Sequence, residues 1–383
     1  MRCRPRRAVW FPRRRGSRAE AARPAGPVTA ALRVLHVPTA VGGHPGGLAR
    51  AERELGLDSV AVSLFRPDFG HPADRVLGRP GDGAARRALQ RGRLLLRMCS
   101  VDVVHYNFGE PLLPIPHGTA GLLAAVERRL ALRDVTLLRT LGKRIVVTFQ
   151  GDDARQAIVG GLLVQATPER YTPELDAARR RTIAAFDRNA DAIFFLNPDL
   201  AAVLPERAAF LPYASVDPLE WEVHPESSDG PPLVVHAPSD PRVKGTDQIM
   251  AAVARLRADG VPLRFELVQG VDREVVRSAL ERSAVVVDQL NAGWYGGLAV
   301  EAMALGKPVV AALDQLGLPC VPAGLRRDLP VVDASADTLA DRLRALLASA
   351  EERRRLGLAG RAFVEQWHDP RAVARTVIET YRG

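Results

Sequence analysis

The chain has 383 residues, 47% of them hydrophobic, which is enough apolar material for two domains with separate cores. Residues 1–25 contain nine arginines against the single acid Glu20, so this segment carries +8 of the formal charge of +9. The rest of the chain is nearly neutral. The basic composition is therefore no sign that the folded part binds nucleic acid, and we predict that it does not.

We expect residues 1–30 to form a disordered, Arg-rich leader, because charge at this density cannot be buried in a core. Three alternatives remain for this segment: a transit peptide, a start codon assigned too early, and a basic arm that contacts anionic lipid. None of them changes the fold expected for the residues that follow.

The remaining composition excludes several other classes of protein. Cys3, Cys99 and Cys320 are scattered and odd in number, which is typical of a reducing compartment without a disulfide framework. The eight histidines form no i, i+4 pair and no cluster with cysteine, so we predict no metal site and no cofactor. No run of about 18 uncharged apolar residues is present, so we expect a cytoplasmic protein, with peripheral contact at the inner membrane face as an alternative.

Short apolar runs alternate with longer helical patterns along the chain, which is typical of parallel sheets covered by helices on both faces. The first series of predicted strands covers residues 33–38, 59–65, 101–106, 144–149, 192–196 and 208–212. The second series covers residues 233–237, 263–268, 284–288, 308–312 and 330–332. The predicted fold class is therefore α/β, with two Rossmann-like doubly wound domains.

Residues 217–232 separate the two series and are rich in Pro, Gly and Ser, which neither extend a helix nor pair in a central strand. We predict an N-terminal domain over residues 31–216, a linker over 217–232 and a C-terminal domain over 233–365. Apolar residues at helical spacing predict a terminal helix within residues 366–383, packed near the domain junction.

The strongest chemical signal lies between two predicted strands of the second half. A glycine-rich loop follows Asp288, a helix of small residues begins near Gly297, and Gly306 ends it. Backbone N–H groups and the dipole at such a helix start favour an anion. Gly296, Gly297 and Leu298 are therefore predicted to bind a diphosphate.

Glu301 lies about one turn into this helix, where a carboxylate suits ribose hydroxyls better than phosphate. The stretch resembles the donor-site motif of GT-B glycosyltransferases of the family-4 type. Tyr295-Gly296 matches the family's Phe-Gly pair, Glu301 its second Glu, and residues 302–309 its Ala-Met-Ala-x-Gly-x-Pro-Val run. Gly293 stands where the family has its first Glu, close to the transferred sugar. The resemblance implies two domains facing across a cleft, with the nucleotide on the second.

A second match follows the first strand of the same half. Lys244-Gly245 resembles the family's Lys-Gly pair, whose lysine holds the donor diphosphate together with an upstream arginine. The resemblance therefore implies diphosphate contacts from Lys244 and from Arg242, although the family usually places its arginine further upstream. Without the resemblance, the same residues would be read as a solvated Arg-x-Lys turn.

The resemblance also implies cleft residues in the first domain. The glycine-rich loop after the first strand lies, in the family, where donor and acceptor meet, so His44 is a candidate acceptor contact. Its spacing is not Gly-x-Gly-x-x-Gly, which argues against a dinucleotide enzyme. Gln150, after the fourth strand, stands where the family often has a histidine facing the donor sugar. The sugar and acceptor candidates are Gly42, Gly43, His44, Gln150, Asp152 and Tyr295.

The resemblance implies a hexosyltransferase-like enzyme (EC 2.4) of polysaccharide biosynthesis. Such an enzyme transfers a sugar from a nucleotide-diphosphate sugar to a glycan, lipid-linked or other acceptor, with retention and without metal, because Lys and Arg neutralise the developing charge. We assign no catalytic base. A sugar-nucleotide epimerase of the same fold remains an alternative, as does a catalytically inactive nucleotide-sugar-binding module, which Gly293 and Gln150 favour.

Overall fold

The computed structural model describes residues 31–67, 70–116, 122–226 and 230–383. The predicted leader at residues 1–30 lies outside the described residues, as do residues 227–229 of the predicted linker. Within the described ranges the chain forms two parallel sheets connected by helices.

The first sheet contains seven strands, all paired in parallel. They are β1 (Arg33–Val37), β2 (Asp58–Ser63), β3 (Arg75–Val76), β4 (Val103–Asn107), β5 (Arg144–Phe149), β6 (Ala192–Phe195) and β7 (Ala209–Phe210). Their order in the sheet is β3-β2-β1-β4-β5-β6-β7. The central strand β4 is buried along its whole length, as expected for a parallel strand covered on both faces.

The second sheet contains five strands, also all parallel. They are β8 (Leu233–His236), β9 (Arg264–Leu267), β10 (Val285–Val287), β11 (Val309–Ala311) and β12 (Val332–Asp333). Their order is β12-β11-β10-β8-β9. Valine fills β10 and most of β11, because β-branched residues pack well in a buried strand.

Fourteen α-helices connect the strands within the described residues. They are α1 (His44–Glu54), α2 (Ala84–Ser100), α3 (Leu122–Leu130), α4 (Arg133–Thr140), α5 (Leu162–Ala166), α6 (Pro173–Asn189), α7 (Pro241–Lys244), α8 (Thr246–Ala258), α9 (Arg273–Arg282), α10 (Gly297–Ala304), α11 (Ala323–Asp328), α12 (Leu339–Ala348), α13 (Ala350–Trp367) and α14 (Pro370–Arg382). Across these described ranges, no helix combines the length and low charge needed to cross a membrane.

Every predicted strand overlaps an observed one, and the predicted α/β class is confirmed. One observed strand of the described residues, β3, was not predicted. It consists of two exposed residues at the edge of the first sheet and therefore carries no apolar periodicity.

Helix α14 returns to the first domain and packs along α1. The Tyr381 hydroxyl donates to Glu52 Oε1 at 2.8 Å and lies 2.8 Å from His105 Nδ1. Glu52 Oε2 lies 2.8 Å from His36 Nε2 and accepts the Ser59 hydroxyl at 2.6 Å. These five side chains, all buried, form a polar cluster that joins α14 to the first sheet.

The polar cluster contains a grouping that the sequence spacing does not reveal. The potential metal-ligand atoms of His36, Glu52 and His105 lie within 4.8 Å of one another. His105 Nε2 is also 2.8 Å from the Thr148 hydroxyl, so both of its ring nitrogens have partners. Burial lowers the pKa of His105 and raises the pKa of Tyr381, which keeps both neutral. We interpret the cluster as a hydrogen-bond network that holds α14 in place.

The described part of the predicted linker is packed against the last two helices. Arg361 of α13 donates to the carbonyls of Pro218 and Trp221. Arg371 of α14 forms two 3.0 Å hydrogen bonds with the Asp217 carboxylate. The segment that crosses between the domains is therefore anchored by side chains from the end of the chain.

We expect Tyr381→Phe to lower the free energy of unfolding by about 1–3 kcal/mol, because a buried Glu52 oxygen and a His105 ring nitrogen lose their hydroxyl partner. Urea denaturation followed by circular dichroism measures the change. Thr376→Ala is the control on the same helix: its hydroxyl bonds the Ala372 carbonyl one turn away, and its loss should cost less than about 0.5 kcal/mol. Equal losses from the two variants would contradict the role given to the polar cluster.

Candidate functional site

A cavity of about 500 Å³ lies between the two domains, among the loops that follow the carboxyl ends of the strands. The first domain contributes Val41, Gly42, His71, Phe108, Arg170 and Ser215 to its wall. The second domain contributes Ala237, Pro238, Ser239, Lys244, Val268, Gly270, Val271, Arg273, Val276, Gly297, Leu298 and Glu301. Both domains are needed to form the cavity, which lies where open parallel sheets usually bind ligands.

Lys244 reaches the cavity from the end of the short helix α7. The Asp240 side chain caps α7, and Gly245 ends it with a φ of +77°. The Lys244 ammonium donates to Gln289 Oε1 at 2.5 Å and lies 3.6 Å from Asp288 Oδ1. Asp288 is fully buried, and a buried carboxylate needs a positive partner. This ion pair therefore holds the Lys244 ammonium at the cavity wall.

The start of α10 is the second element of the site that favours an anion. Asp288 Oδ2 accepts the Gly296 N–H at 2.5 Å directly before α10 begins at Gly297. A Cβ built on Gly296 would lie 3.1 Å from Lys244 Nζ, so a side chain there would press on the ammonium. Gly297 and Leu298 line the cavity, and the N–H groups of this first helical turn lack intrahelical acceptors. One carboxylate therefore contacts both the ammonium and the start of the helix, and it occupies the Gly296 N–H that the sequence assigned to the diphosphate.

Glu301 lies one turn into α10 and also lines the cavity. Its Oε1 accepts N–H groups of Arg273, the first residue of α9, at 2.8 Å. Burial raises the pKa of Glu301, and the Arg273 guanidinium opposes that shift by favouring the ionised carboxylate. The predicted ribose-binding residue is thus part of an ion pair on the cavity wall.

The first domain presents buried polar atoms on its side of the cleft. His71 Nδ1, Ser215 Oγ and Gln150 Nε2 have no hydrogen-bond partner among the described residues. Burial lowers the pKa of His71 to about 4, so its ring is neutral at pH 7. A Cβ on Gly42, whose φ is +63°, would lie 3.8 Å from Gln150 Oε1, which makes the glycine loop and Gln150 neighbours. Buried polar atoms of this kind are suited to a ligand with hydroxyl groups.

Two of the predicted cleft residues lie in the core instead. Tyr295 is fully buried, and its hydroxyl is 3.0 Å from His368 Nε2. His44 is buried as well: its Nδ1 accepts the Ala214 N–H at 3.0 Å, and burial lowers its pKa to about 3. The structure brings neither side chain to the cavity wall, because position within a motif does not reveal which way a side chain points.

Arg242, predicted to contact the diphosphate, does not line the cavity either. Its guanidinium is 56% exposed and pairs with Glu169 at 2.6 Å, outside the cavity wall. Asp152 likewise lies off the wall, where it accepts N–H groups of Arg155 at 2.7 Å and of Arg170 at 3.3 Å. Of the other predicted residues, Gly42, Lys244, Gly297, Leu298 and Glu301 line the cavity, whereas Gly43, Gly296 and Gln150 stand beside wall residues.

The wall includes polar residues that the sequence motifs do not indicate: His71, Arg170, Ser215 and Arg273. Arg273 could have been predicted from the sequence as a site residue. It follows a predicted strand and begins a helix, which is where open parallel sheets bind ligands. The other three lie in irregular segments that carry no motif, so only the folded chain shows their position.

We expect Arg273→Ala to lower the free energy of unfolding at pH 7 by about 1–3 kcal/mol, because the buried Glu301 carboxylate loses its guanidinium partner. The loss should be smaller at pH 5 than at pH 7, because burial raises the pKa of Glu301, and at the lower pH a larger fraction of the carboxyl is protonated and carries no unpaired charge. Urea titrations at both pH values measure it.

Arg282→Ala is the matched control for this prediction. It removes an arginine of the same helix whose ion pair with Glu266 is exposed, so its loss should stay below about 1 kcal/mol. A loss from Arg273→Ala that is equal at the two pH values would contradict the ion-pair explanation.

Comparison with known proteins places the fold. No protein-family model matches the chain, and no curated protein matches its sequence. The structure is similar to the sucrose-phosphate synthase of Thermosynechococcus elongatus, at 17% identity over 92% of this chain and 98% of that chain, with a TM-score of 0.61. It is also similar to Anabaena HepE solved with UDP-glucose (11% identity, 92% and 100% covered, TM-score 0.55) and to S. aureus MnaA solved with UDP (14%, 92% and 97%, TM-score 0.51).

Structural likeness at such low identity shows the fold. The first two of these structures each align with 92% of this chain. Membership of the family-4 type stays a prediction from the motifs. The chain has the GT-B fold, two Rossmann-like α/β domains that face each other across a cleft, as the sequence predicted.

Proposed function

We propose that this chain is a glycosyltransferase that binds a nucleotide-diphosphate sugar on its second domain and transfers the sugar to a glycan, glycolipid or other acceptor. One observation carries the proposal: a single cavity brings together Lys244, the start of α10 and Glu301. These features come from two separate sequence motifs, and both motifs resemble donor-site motifs of GT-B glycosyltransferases.

The wall of the cavity suits the parts of a sugar nucleotide in turn. Lys244 and the start of α10 would bind the diphosphate, the one by charge and the other by free N–H groups. Glu301, one turn further along the helix, would accept the ribose hydroxyls. The base would pack against the apolar side chains of Val268, Val271 and Val276.

The same arrangement supports departure of the nucleotide. The diphosphate gains negative charge as the glycosidic bond breaks, so contacts that strengthen at that moment lower the barrier. Asp288 contacts the Lys244 ammonium and the Gly296 N–H, so both anion-binding elements are in place before a donor arrives. We infer that these groups neutralise the charge without a metal ion, and that the reaction retains the anomeric configuration as in the family that the motifs resemble.

The sugar end of the site differs from that family. Gly293, in the place of the first glutamate, has a φ of +67°, and a Cβ there would lie 3.3 Å from Gln315 Nε2. A glutamate would therefore be strained at this position. Gln150 offers a buried amide without a partner beside the glycine loop of the first domain. We infer that this amide donates to a sugar hydroxyl and that the sugar is held without a charged side chain.

The second candidate is a catalytically inactive protein that binds sugar nucleotides. Gly293 and Gln150 favour it, because neither can supply a charge or carry a proton where the family has ionisable groups. A sugar-nucleotide epimerase, left open by the sequence, would release an isomerised donor without any acceptor.

A thermal-shift panel of UDP-, GDP- and ADP-sugars tests the proposal first, because a ligand that binds only the folded state raises Tm. UDP-glucose leads the panel, since HepE of the same fold was solved with it. Binding followed by transfer to a saccharide or lipid acceptor supports the proposal. Binding with neither transfer nor isomerisation supports the inactive module, and binding of no sugar nucleotide overturns both.

We expect Lys244→Ala to lower kcat by about 100-fold or more, since a contact that strengthens as charge develops acts mainly on the transition state. Glu301→Ala should raise KM with a smaller effect on kcat, because ribose contacts are equal in the ground and transition states. Initial rates with the donor identified by the panel measure both. Uridine should bind more weakly only to the Glu301 variant; unchanged uridine affinity there would refute the ribose assignment.

Transfer activity should persist in excess EDTA, because Lys244 and the start of α10 neutralise the diphosphate in the proposed reaction. Rates are measured after dialysis against EDTA and again after addition of Mg²⁺ or Mn²⁺. Thermal shifts with the donor, recorded in parallel, show whether donor binding needs the ion. Activity that disappears in EDTA and returns with either ion would refute metal independence.

A further inference from the structure

Two ion pairs cross the cleft beside the cavity, in opposite directions. Arg170 of the first domain pairs with Asp240 of the second, and Arg242 of the second domain pairs with Glu169 of the first at 2.6 Å. Both pairs join the same two segments, yet only one of the two arginines, Arg170, belongs to the cavity wall.

The charges of the other wall residues cancel once the buried Asp288, which pairs with Lys244, is counted with them. Lys244 is opposed by Asp288 at 3.6 Å, and Arg273 by Glu301 at 2.8 Å. The diphosphate of a sugar nucleotide brings two further negative charges into the same space. An enclosed anion is unfavourable unless cations pair with it, so a further positive group on the wall would add to the charge that Lys244 and the start of α10 provide.

Arg170 is the remaining cation among the described wall residues. Its partners Asp240 and Asp152 lie outside the wall and have other contacts: Asp240 caps the start of α7, and Asp152 pairs with Arg155. The guanidinium can therefore turn away without leaving a bare carboxylate. Asp240 directly precedes α7, the helix that ends in Lys244. Arg170, which pairs with Asp240, therefore lies near the part of the cavity where we propose that the diphosphate binds.

We propose that Arg170 is the diphosphate ligand contributed by the first domain, and that it exchanges Asp240 for the diphosphate when the donor binds. This inference rests on the proposed function and deepens it. A guanidinium binds phosphate oxygens with two parallel N–H groups, as it binds a carboxylate, so the exchange keeps its hydrogen bonding. Donor binding then engages both domains at once.

Calorimetric titration with UDP and with uridine separates the diphosphate from the nucleoside; GDP or ADP replaces UDP if the panel selects it. Arg170→Ala should weaken UDP binding about tenfold or more and leave uridine affinity within about twofold. Arg242→Ala is the matched control, because it removes the reciprocal cross-cleft pair from outside the wall and should leave both affinities unchanged. Arg170→Lys should recover part of the loss.

Asp240→Asn gives a result of opposite sign. The asparagine keeps the oxygen that caps α7 but removes the charge that competes with the diphosphate for Arg170, so UDP should bind about two- to fivefold more tightly. If the pair only held the two domains together, the same substitution would weaken UDP binding.

Two results would overturn Arg170 as a ligand while leaving the proposed function intact. One is equal weakening of UDP binding by Arg170→Ala and Arg242→Ala, and the other is weaker UDP binding by Asp240→Asn. Melting temperatures without ligand show whether each variant is folded. A wild-type protein that binds no nucleotide of the panel would overturn the proposed function and this inference with it.

Discussion

All strands of each sheet run parallel, so the loops at their carboxyl ends emerge at a single edge, and these two edges face each other across the cleft. This constraint brings together residues far apart in the chain: Gly42 follows β1, Gln150 follows β5, Lys244 follows β8, Arg273 follows β9 and Glu301 follows β10. Of these positions, Gly42 itself has a positive φ, and Lys244 is followed by Gly245, which also has one. Because the lining residues come from both domains, neither domain contains the complete site by itself.

The second physical feature of the site is that its cations have carboxylate partners. Lys244 has Asp288, Arg273 has Glu301, and Arg170 has Asp240. Such pairs fix long side chains that would otherwise be mobile, and they let a positively charged wall fold without an anion present. They also weaken the attraction between the wall and an anionic ligand. Each cation already interacts with a carboxylate, so it must either interact with both anions or exchange the carboxylate for the ligand. If the wall binds a diphosphate as proposed, the strength of that binding is set by competition between carboxylates and phosphates.

The fold and part of the site are predictable from the sequence because both depend on strand–loop–helix units. Lys244, Gly297 and Glu301 lie in strand–loop–helix units whose geometry is settled by neighbouring residues, so a local motif indicates their place. Tyr295 lies in the same motif but is buried, because its side chain follows the packing of the core. Arg170 reaches the wall through packing between domains, which local sequence does not encode.

The polar cluster shows the same limit in the first domain. His36, Glu52 and His105 are separated by 16 and more residues and meet because β1 and β4 are neighbours in the sheet. Their separation in the sequence matches no metal-binding or catalytic motif. The hydroxyl that completes the cluster comes from Tyr381 of α14. A search of the sequence for metal ligands or catalytic histidines therefore has no signal to find there.

The return of α14 to the first domain has a consequence for synthesis on the ribosome. Residues 31–216 emerge first, yet the face of α1 that α14 covers stays open, and the carboxylate of Glu52 lacks its Tyr381 partner, until residues 370–382 have left the exit tunnel. The second domain, which is made in between, does not wait for a distant segment in this way. The first domain to be translated is thus the last to be completed, and until then the apolar surface that α14 covers is exposed, as in the incompletely folded states from which proteins aggregate.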